Sequence, residues 1–157
     1  MRIEIERKFL VKDIKKIKNI KKTLNIVQGY LCLDKNRTVR VRISNDKAFL
    51  TIKGLSSENG LSRYEFEKKI TLKEAKELLK ICKKPLIEKT RLNVEYEGYI
   101  FEIDKFFGEN EGLVIAEIEL KSEDENFKKP VWLGKEVTGD KRYYNSNLVQ
   151  KPYKYFK

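Results

Sequence analysis

Histidine is absent from the 157 residues. That excludes Ser–His and Cys–His nucleophilic catalysis, histidine proton shuttles and any metal site with an imidazole ligand. A metal would have to be held by carboxylates, which favour hard ions such as Mg²⁺ or Mn²⁺. Cysteine is scarce as well. Cys32 and Cys82 form no C-x-x-C pair, so reduced thiols in a cytoplasmic protein are expected, not a disulfide or a zinc site. No apolar run is long enough to cross a bilayer, and Met1 leads directly into a strand pattern, so no signal peptide is expected. No Walker A sequence is present, which excludes a P-loop enzyme. Acidic residues are the minority, 24 against 35 Lys and Arg, a net charge of +11. Such a balance suits anionic partners, but it also describes a surface solvated by lysines, and it does not separate nucleic acid from a small polyphosphate.

The length fits one domain, residues 1–157, with a real core. Strand patterning dominates. In the segment 1–11, Ile3, Ile5, Phe9 and Val11 fall on one face together with Arg7, while Glu4, Glu6 and Lys8 fall on the other. Further strands are expected over 26–33, 37–44, 47–53, 62–70, 86–95, 99–107 and 113–121, with a short one in 132–137 and a Gly- and Ser-bearing loop over 54–60. Asp13 followed by Ile14, Ile17, Ile20 and Leu24 predicts a basic amphipathic helix over 14–24. Thr71 and Glu74 form a capping box for a second helix that stops before Pro85. A final helix is expected over 140–148.

Charged residues recur at i, i+2 spacing: Glu4/Glu6/Lys8, Arg40/Arg42, Glu65/Glu67, Lys89/Arg91, Glu102/Asp104 and Glu117/Glu119, with Lys53 alone on its strand. The opposite faces are aliphatic or aromatic. Two arrangements fit. The charges pair across strands on an exposed sheet face, which costs little. Alternatively, eight antiparallel strands close into a barrel with the charged face inside, where cations hold a polyanion and carboxylates hold its metal ions. Arginine at i, i+2 offers planar forks suited to phosphate oxygens.

Glu4-x-Glu6-x-Lys8, Gln28-Gly-Tyr-Leu, Arg40-x-Arg42, Leu50-Thr-Ile-Lys-Gly54, Glu65-x-Glu67, Lys89-x-Arg91, Glu117-x-Glu119 and Glu136-Val-Thr-x-Asp140-x-Arg142-Tyr-Tyr, in that order, resemble the CYTH superfamily of triphosphate tunnel metalloenzymes. The resemblance implies a mainly β, closed eight-stranded antiparallel barrel with helices packed outside, a bound triphosphate, and Mg²⁺ or Mn²⁺, two ions in all. It implies Lys8, Arg40, Arg42, Lys53, Lys89 and Arg91 as phosphate binders, with Arg142 reaching one tunnel mouth. Metal ligands would come from Glu4, Glu6, Glu65, Glu67, Glu117 and Glu119, with Asp104 as an extra. Water would be activated for attack on the terminal phosphorus, with Glu6, Lys89 and Tyr30 as the catalytic candidates. Lys89, crowded by other cations, would have a lowered pKa and serve with Tyr30; the alternative is that Lys89 only binds phosphate and Tyr30 only packs.

The expected substrate is inorganic tripolyphosphate. A nucleoside or thiamine triphosphate ranks second, since Trp132 is the only tryptophan and reads as packing. Adenylate cyclase chemistry ranks third. The rival from another class is a non-catalytic polyphosphate- or RNA-binding module using the basic, aromatic tail 151–157. Six inward carboxylates argue against nucleic acid. No membrane partner is expected, and a homodimer is the expected assembly by the same resemblance.

Overall fold

The alternation seen in the sequence becomes a closed wall of strands. The computed structural model describes residues 2–156, so Met1, the expected first residue of the first strand, and Lys157 of the tail lie outside the described residues. The strands are β1 (Arg2–Val11), β2 (Ile20–Cys32), β3 (Arg37–Ser44), β4 (Lys47–Gly54), β5 (Ser62–Ile70), β6 (Ile87–Tyr96), β7 (Tyr99–Phe106), β8 (Val114–Glu119) and β9 (Leu133–Glu136). Helices α1 (Leu72–Ile81) and α2 (Asn145–Gln150) complete the regular elements. Every pairing is antiparallel, in the order β5-β4-β3-β2-β6-β7-β8-β1, and a β5–β1 pairing closes the ring at eight strands. β1 makes the closure by changing partners along its length. Residues 2–5 pair with β5, residues 6–10 pair with β8, and the edge that β5 leaves is taken by β9.

Closure sends the two faces of each strand to different environments. Outside, Val41, Ala48 and Cys82 form an apolar layer with Ala75 and Leu79 of α1, while Phe9, Phe101, Ile103 and Ile118 pack with Trp132 and Leu133 around β9. Arg7, the charged residue on the outward face of β1, is accounted for there. It pairs with Glu136 at 2.6 Å and lies over the Phe9 and Phe127 rings. The covering is incomplete. Ile3, Tyr64 and Phe66, on the outer face of β1 and β5, remain exposed. Inside, the charged faces are enclosed, and at one end the inward residues turn apolar: Tyr30, Ile87, Phe106 and Ile115 pack against Tyr143, Leu148 and Val149.

Two expected helices differ in the structure. The helix over 14–24 does not form: only Ile14–Lys16 makes one 3-10 turn, capped by the Asp13 side chain, and strand β2 begins at Ile20. The segment is rich in β-branched residues and short for a helix, so its helical propensity is weak. Extended, residues 20–28 gain a full ladder to β6, and Asn19 turns the chain into it at φ 65°. The final helix is broken at Tyr144, with a 3-10 turn over Lys141–Tyr143 capped by Asp140 before α2. The break lets Tyr143 enter the apolar plug while Tyr144, Asn145 and Ser146 line the interior. The capping box forms as expected, with Glu74 N donating to Thr71 Oγ1 at 3.1 Å and Thr71 N to Glu74 Oε1 at 2.9 Å.

α1 leans on β2 where the strand carries no side chain. A Cβ on Gly29 would sit 2.7 Å from Cys82 Cβ and 2.8 Å from Leu86 Cδ2. Gly29→Ala is therefore expected to destabilise the fold by about 1–3 kcal/mol through overpacking. Urea unfolding measures it; an unchanged midpoint would show that α1 does not seat this closely.

Candidate functional site: a charged tunnel

Because strand side chains alternate, the i, i+2 charges of neighbouring strands converge on one cavity, about 240 Å³ in volume. All twelve of the charged residues Glu4, Glu6, Lys8, Arg40, Arg42, Lys53, Glu65, Glu67, Lys89, Arg91, Glu117 and Glu119 line it, as does Tyr30. Asp104 and Arg142 do not. Asp104 is buried behind the lining, and Arg142 sits outside, paired with Asp140 at 2.7 Å and stacked over Tyr143 and Phe156. The cavity also contains Arg2, Arg63 and Asn145, which the sequence patterns did not include, and Glu102, Thr51 and Tyr144, which they included without assigning a role. Arg63 continues the alternation two residues before Glu65, and Arg2 two before Glu4, so both were legible as members of the same face. Asn145 had no such signal, because only the fold brings α2 to the barrel.

Eight cations and seven carboxylates line the tunnel, so its charge is nearly balanced. The balance is local. Lys53 Nζ lies 2.9 Å from Glu4 and 3.6 Å from Glu65; Arg2 joins Glu65 at 2.6 Å to Glu119 at 3.1 Å; Arg42 reaches Glu67 at 3.4 Å. Asp104 takes Arg91 in a two-point pair at 2.7 and 2.9 Å and Lys89 at 2.8 Å. That arrangement makes Asp104 an anchor for two cations, not a group free to face a ligand.

Three cations stand apart. Among the described residues, Lys8, Arg40 and Arg63 have no carboxylate within 4.0 Å. Lys8 Nζ donates to the Tyr143 carbonyl at 3.3 Å and lies over the Tyr144 ring. The Nε–H groups of Arg40, Arg42 and Arg63 are buried without an acceptor. A buried polar group left unpaired costs about 1–3 kcal/mol, more when charged. These three arginines are thus short of acceptors, and an anion with several oxygens would supply them.

Protonation follows the same geometry. Burial disfavours the Glu4 carboxylate, but Lys53 and hydrogen bonds from Glu6 and Glu65 overcome it and hold Glu4 well below the usual carboxylate range. Glu6 goes the other way: burial, then the charge of Glu117, push it well above that range despite Lys53. Burial also lowers Lys89 to about 8, with Arg91 in the same direction and Asp104 against. Crowding by cations, the cause expected from sequence, is the smaller effect. Arg42 is lowered to about 10, first by burial and then by Arg40 and Arg91.

The Glu6–Glu117 pair has room in its charge balance for a cation, and an all-oxygen donor set suits Mg²⁺ or Mn²⁺. Among the described residues no three carboxylates converge into a ready-made cage.

The CYTH domain matches residues 2–153. This chain belongs to the CYTH family. It is 54% identical over 155 residues to an inorganic triphosphatase of Acetivibrio thermocellus, covering 98% of this chain and 97% of that one. To an inorganic triphosphatase of Nitrosomonas europaea it is 38% identical over 150 residues, covering 93% and 96%. The solved structure of the inorganic triphosphatase NE1496 superposes with a TM-score of 0.69 at 35% identity, covering 93% of this chain and 97% of that one. Among the described residues no helix is long and apolar enough to cross a membrane.

Asp104 compensates two cations whose side chains are almost wholly buried, Lys89 and Arg91. Asp104→Asn should cost about 3–5 kcal/mol in denaturant unfolding, because it leaves buried charge unpaired. Glu67→Gln, at a more open pair, should cost no more than about 1 kcal/mol. Equal costs would contradict the anchor role.

Proposed function

We propose that this CYTH protein hydrolyses inorganic tripolyphosphate to pyrophosphate and phosphate within the tunnel. The observation that carries the reading is the set of arginines with buried N–H groups that lack acceptors, lining a cavity in which Lys8 too has no carboxylate partner. Arg40 and Arg63, with Lys8, would take the phosphate oxygens first. Arg42, Lys53 and Arg91 would share theirs with the carboxylates that now hold them. The related inorganic triphosphatases support the choice of substrate. So does the lining, whose only aromatic rings among the described residues are Tyr30 and Tyr144, the second already under Lys8. Trp132 is buried on the outer wall against Phe101, so it offers no platform for a base or a thiazolium.

Glu6 and Glu117, with Glu4 and Glu119 beside them, would hold Mg²⁺ or Mn²⁺. The metal supplies neutralisation of phosphate charge and orientation of the terminal phosphoryl group. The protein's own part is to place the substrate and move a proton. Lys89 in its neutral form accepts a proton from the attacking water; the new P–O bond forms at the terminal phosphorus, and the bond to the bridging oxygen breaks with its electrons leaving on pyrophosphate. Tyr30, which also lines the tunnel, orients that water.

The test is phosphate release from tripolyphosphate, ATP and thiamine triphosphate with Mn²⁺, with Mg²⁺ and with EDTA. Tripolyphosphate should be cleaved far faster than the others, release should stop in EDTA, and Glu6→Gln should abolish it. Since Lys89 works only when neutral, kcat/KM should rise with pH through about 8 and level off above it. No release from tripolyphosphate, or a profile already flat from pH 6, would contradict the reading.

A further inference from the structure

Lys89 is held from two sides. Its Nζ donates to Asp104 Oδ2 at 2.8 Å and to Asn145 Oδ1 at 2.8 Å, and the residue is 3% exposed. Asn145 Oδ1 also accepts from Gln28 Nε2 at 2.8 Å, and Gln28 is fully buried. Both neighbours of the amide are donors. The Lys89 ammonium can only donate, so it is the Asn145 oxygen that must face it.

The nitrogen of Lys89 has tetrahedral bonding directions, three of them beyond its own carbon. Asp104 and Asn145 occupy two; the third has no hydrogen-bond acceptor, with the Phe106 ring centroid 5.4 Å from the nitrogen and the residue itself in the cavity lining. With Asp104 alone, the lysine nitrogen would have a single hydrogen-bond partner to set its direction. Asn145 is the first residue of α2, and α2 is seated by Leu148 and Val149 in the apolar plug beside Tyr30, Ile87 and Phe106. The second anchor of Lys89 is therefore fixed to the barrel by packing on one side and by Gln28 on the other.

We propose that Asn145 is a positioning residue for Lys89, and that the buried chain Gln28–Asn145–Lys89 aims the remaining bonding direction of the lysine nitrogen into the tunnel. The proposal rests on Lys89 acting in the hydrolysis, as argued above. It assigns to the C-terminal segment a part in the reaction that no strand motif carries.

The experiment is steady-state hydrolysis of tripolyphosphate with Mn²⁺ by Asn145→Ala, Gln28→Leu, the double variant and Lys89→Met. Rates are expressed per tripolyphosphate-binding site counted by calorimetry in EDTA, so that unfolded protein does not enter. Asn145→Ala should lower kcat roughly ten- to a hundredfold with KM little changed, the order of loss expected when a reacting group is misplaced. Gln28→Leu should lower kcat less, and the double variant should be no slower than Asn145→Ala alone, because both act through one chain. If Asn145→Ala does not fold, Gln28→Leu alone decides: an unchanged kcat overturns the proposal. A wild-type kcat in Asn145→Ala beside an inactive Lys89→Met overturns the proposal and leaves the role of Lys89 standing. A raised KM at unchanged kcat also overturns it, since Asn145 would then only bind substrate. An active Lys89→Met overturns the role of Lys89 and this inference with it.

Discussion

A charge inside a protein must be matched by another charge, and the fold depends on how that is met here. Closing eight strands sends seven carboxylates and eight cations into one cavity, where each would be expensive alone. The strands solve most of it themselves. β1 contributes Glu4, which Lys53 of β4 holds at 2.9 Å, and β7 contributes Asp104, which holds Lys89 and Arg91 of β6. What is left unsolved defines the site. Arginine N–H groups remain buried without acceptors, and burial, then the charge of Glu117, favours the protonated form of Glu6. The first deficit suits an anion and the second a metal cation. A triphosphate with its ion meets both at once.

The net charge points elsewhere than it first suggests. With the tunnel near balance, almost all of the excess of +11 lies on the outer surface. Composition alone would have directed attention to that surface. The placement of charges along strands directed it inward.

Strand content and the inward set were legible because period-two alternation survives any detail of packing: Glu4, Glu6 and Lys8 must share a face wherever β1 lies. The closure itself was not decided by alternation, which an open sheet satisfies equally; it was the ordered set of motifs that separated the two. The segment 14–24 misled because its isoleucines fit a helical stripe, yet the edge of β6 offered a ladder. Asp104 and Arg142 show a further limit. Facing inward does not make a side chain free, since Asp104 is consumed by two cations, and a motif position on a broken helix gives no direction at all. Asn145, Gln28 and the plug around Leu148 join parts of the chain more than a hundred residues apart, which no local pattern encodes.

The central claim is that the unpaired cations inside the tunnel, not the lysines outside, bind the polyanion. Titrating tripolyphosphate calorimetrically in EDTA into the wild type, Arg40→Ala, Arg63→Ala and a Lys21→Ala/Lys22→Ala surface variant tests it without turnover. One site per chain is predicted, weakened about tenfold or more by either arginine change, as for loss of a charge-assisted pair of about 1.5–3 kcal/mol, and unaffected by the surface change. Affinity that ignores both arginines, or that falls with the surface lysines, would contradict the account.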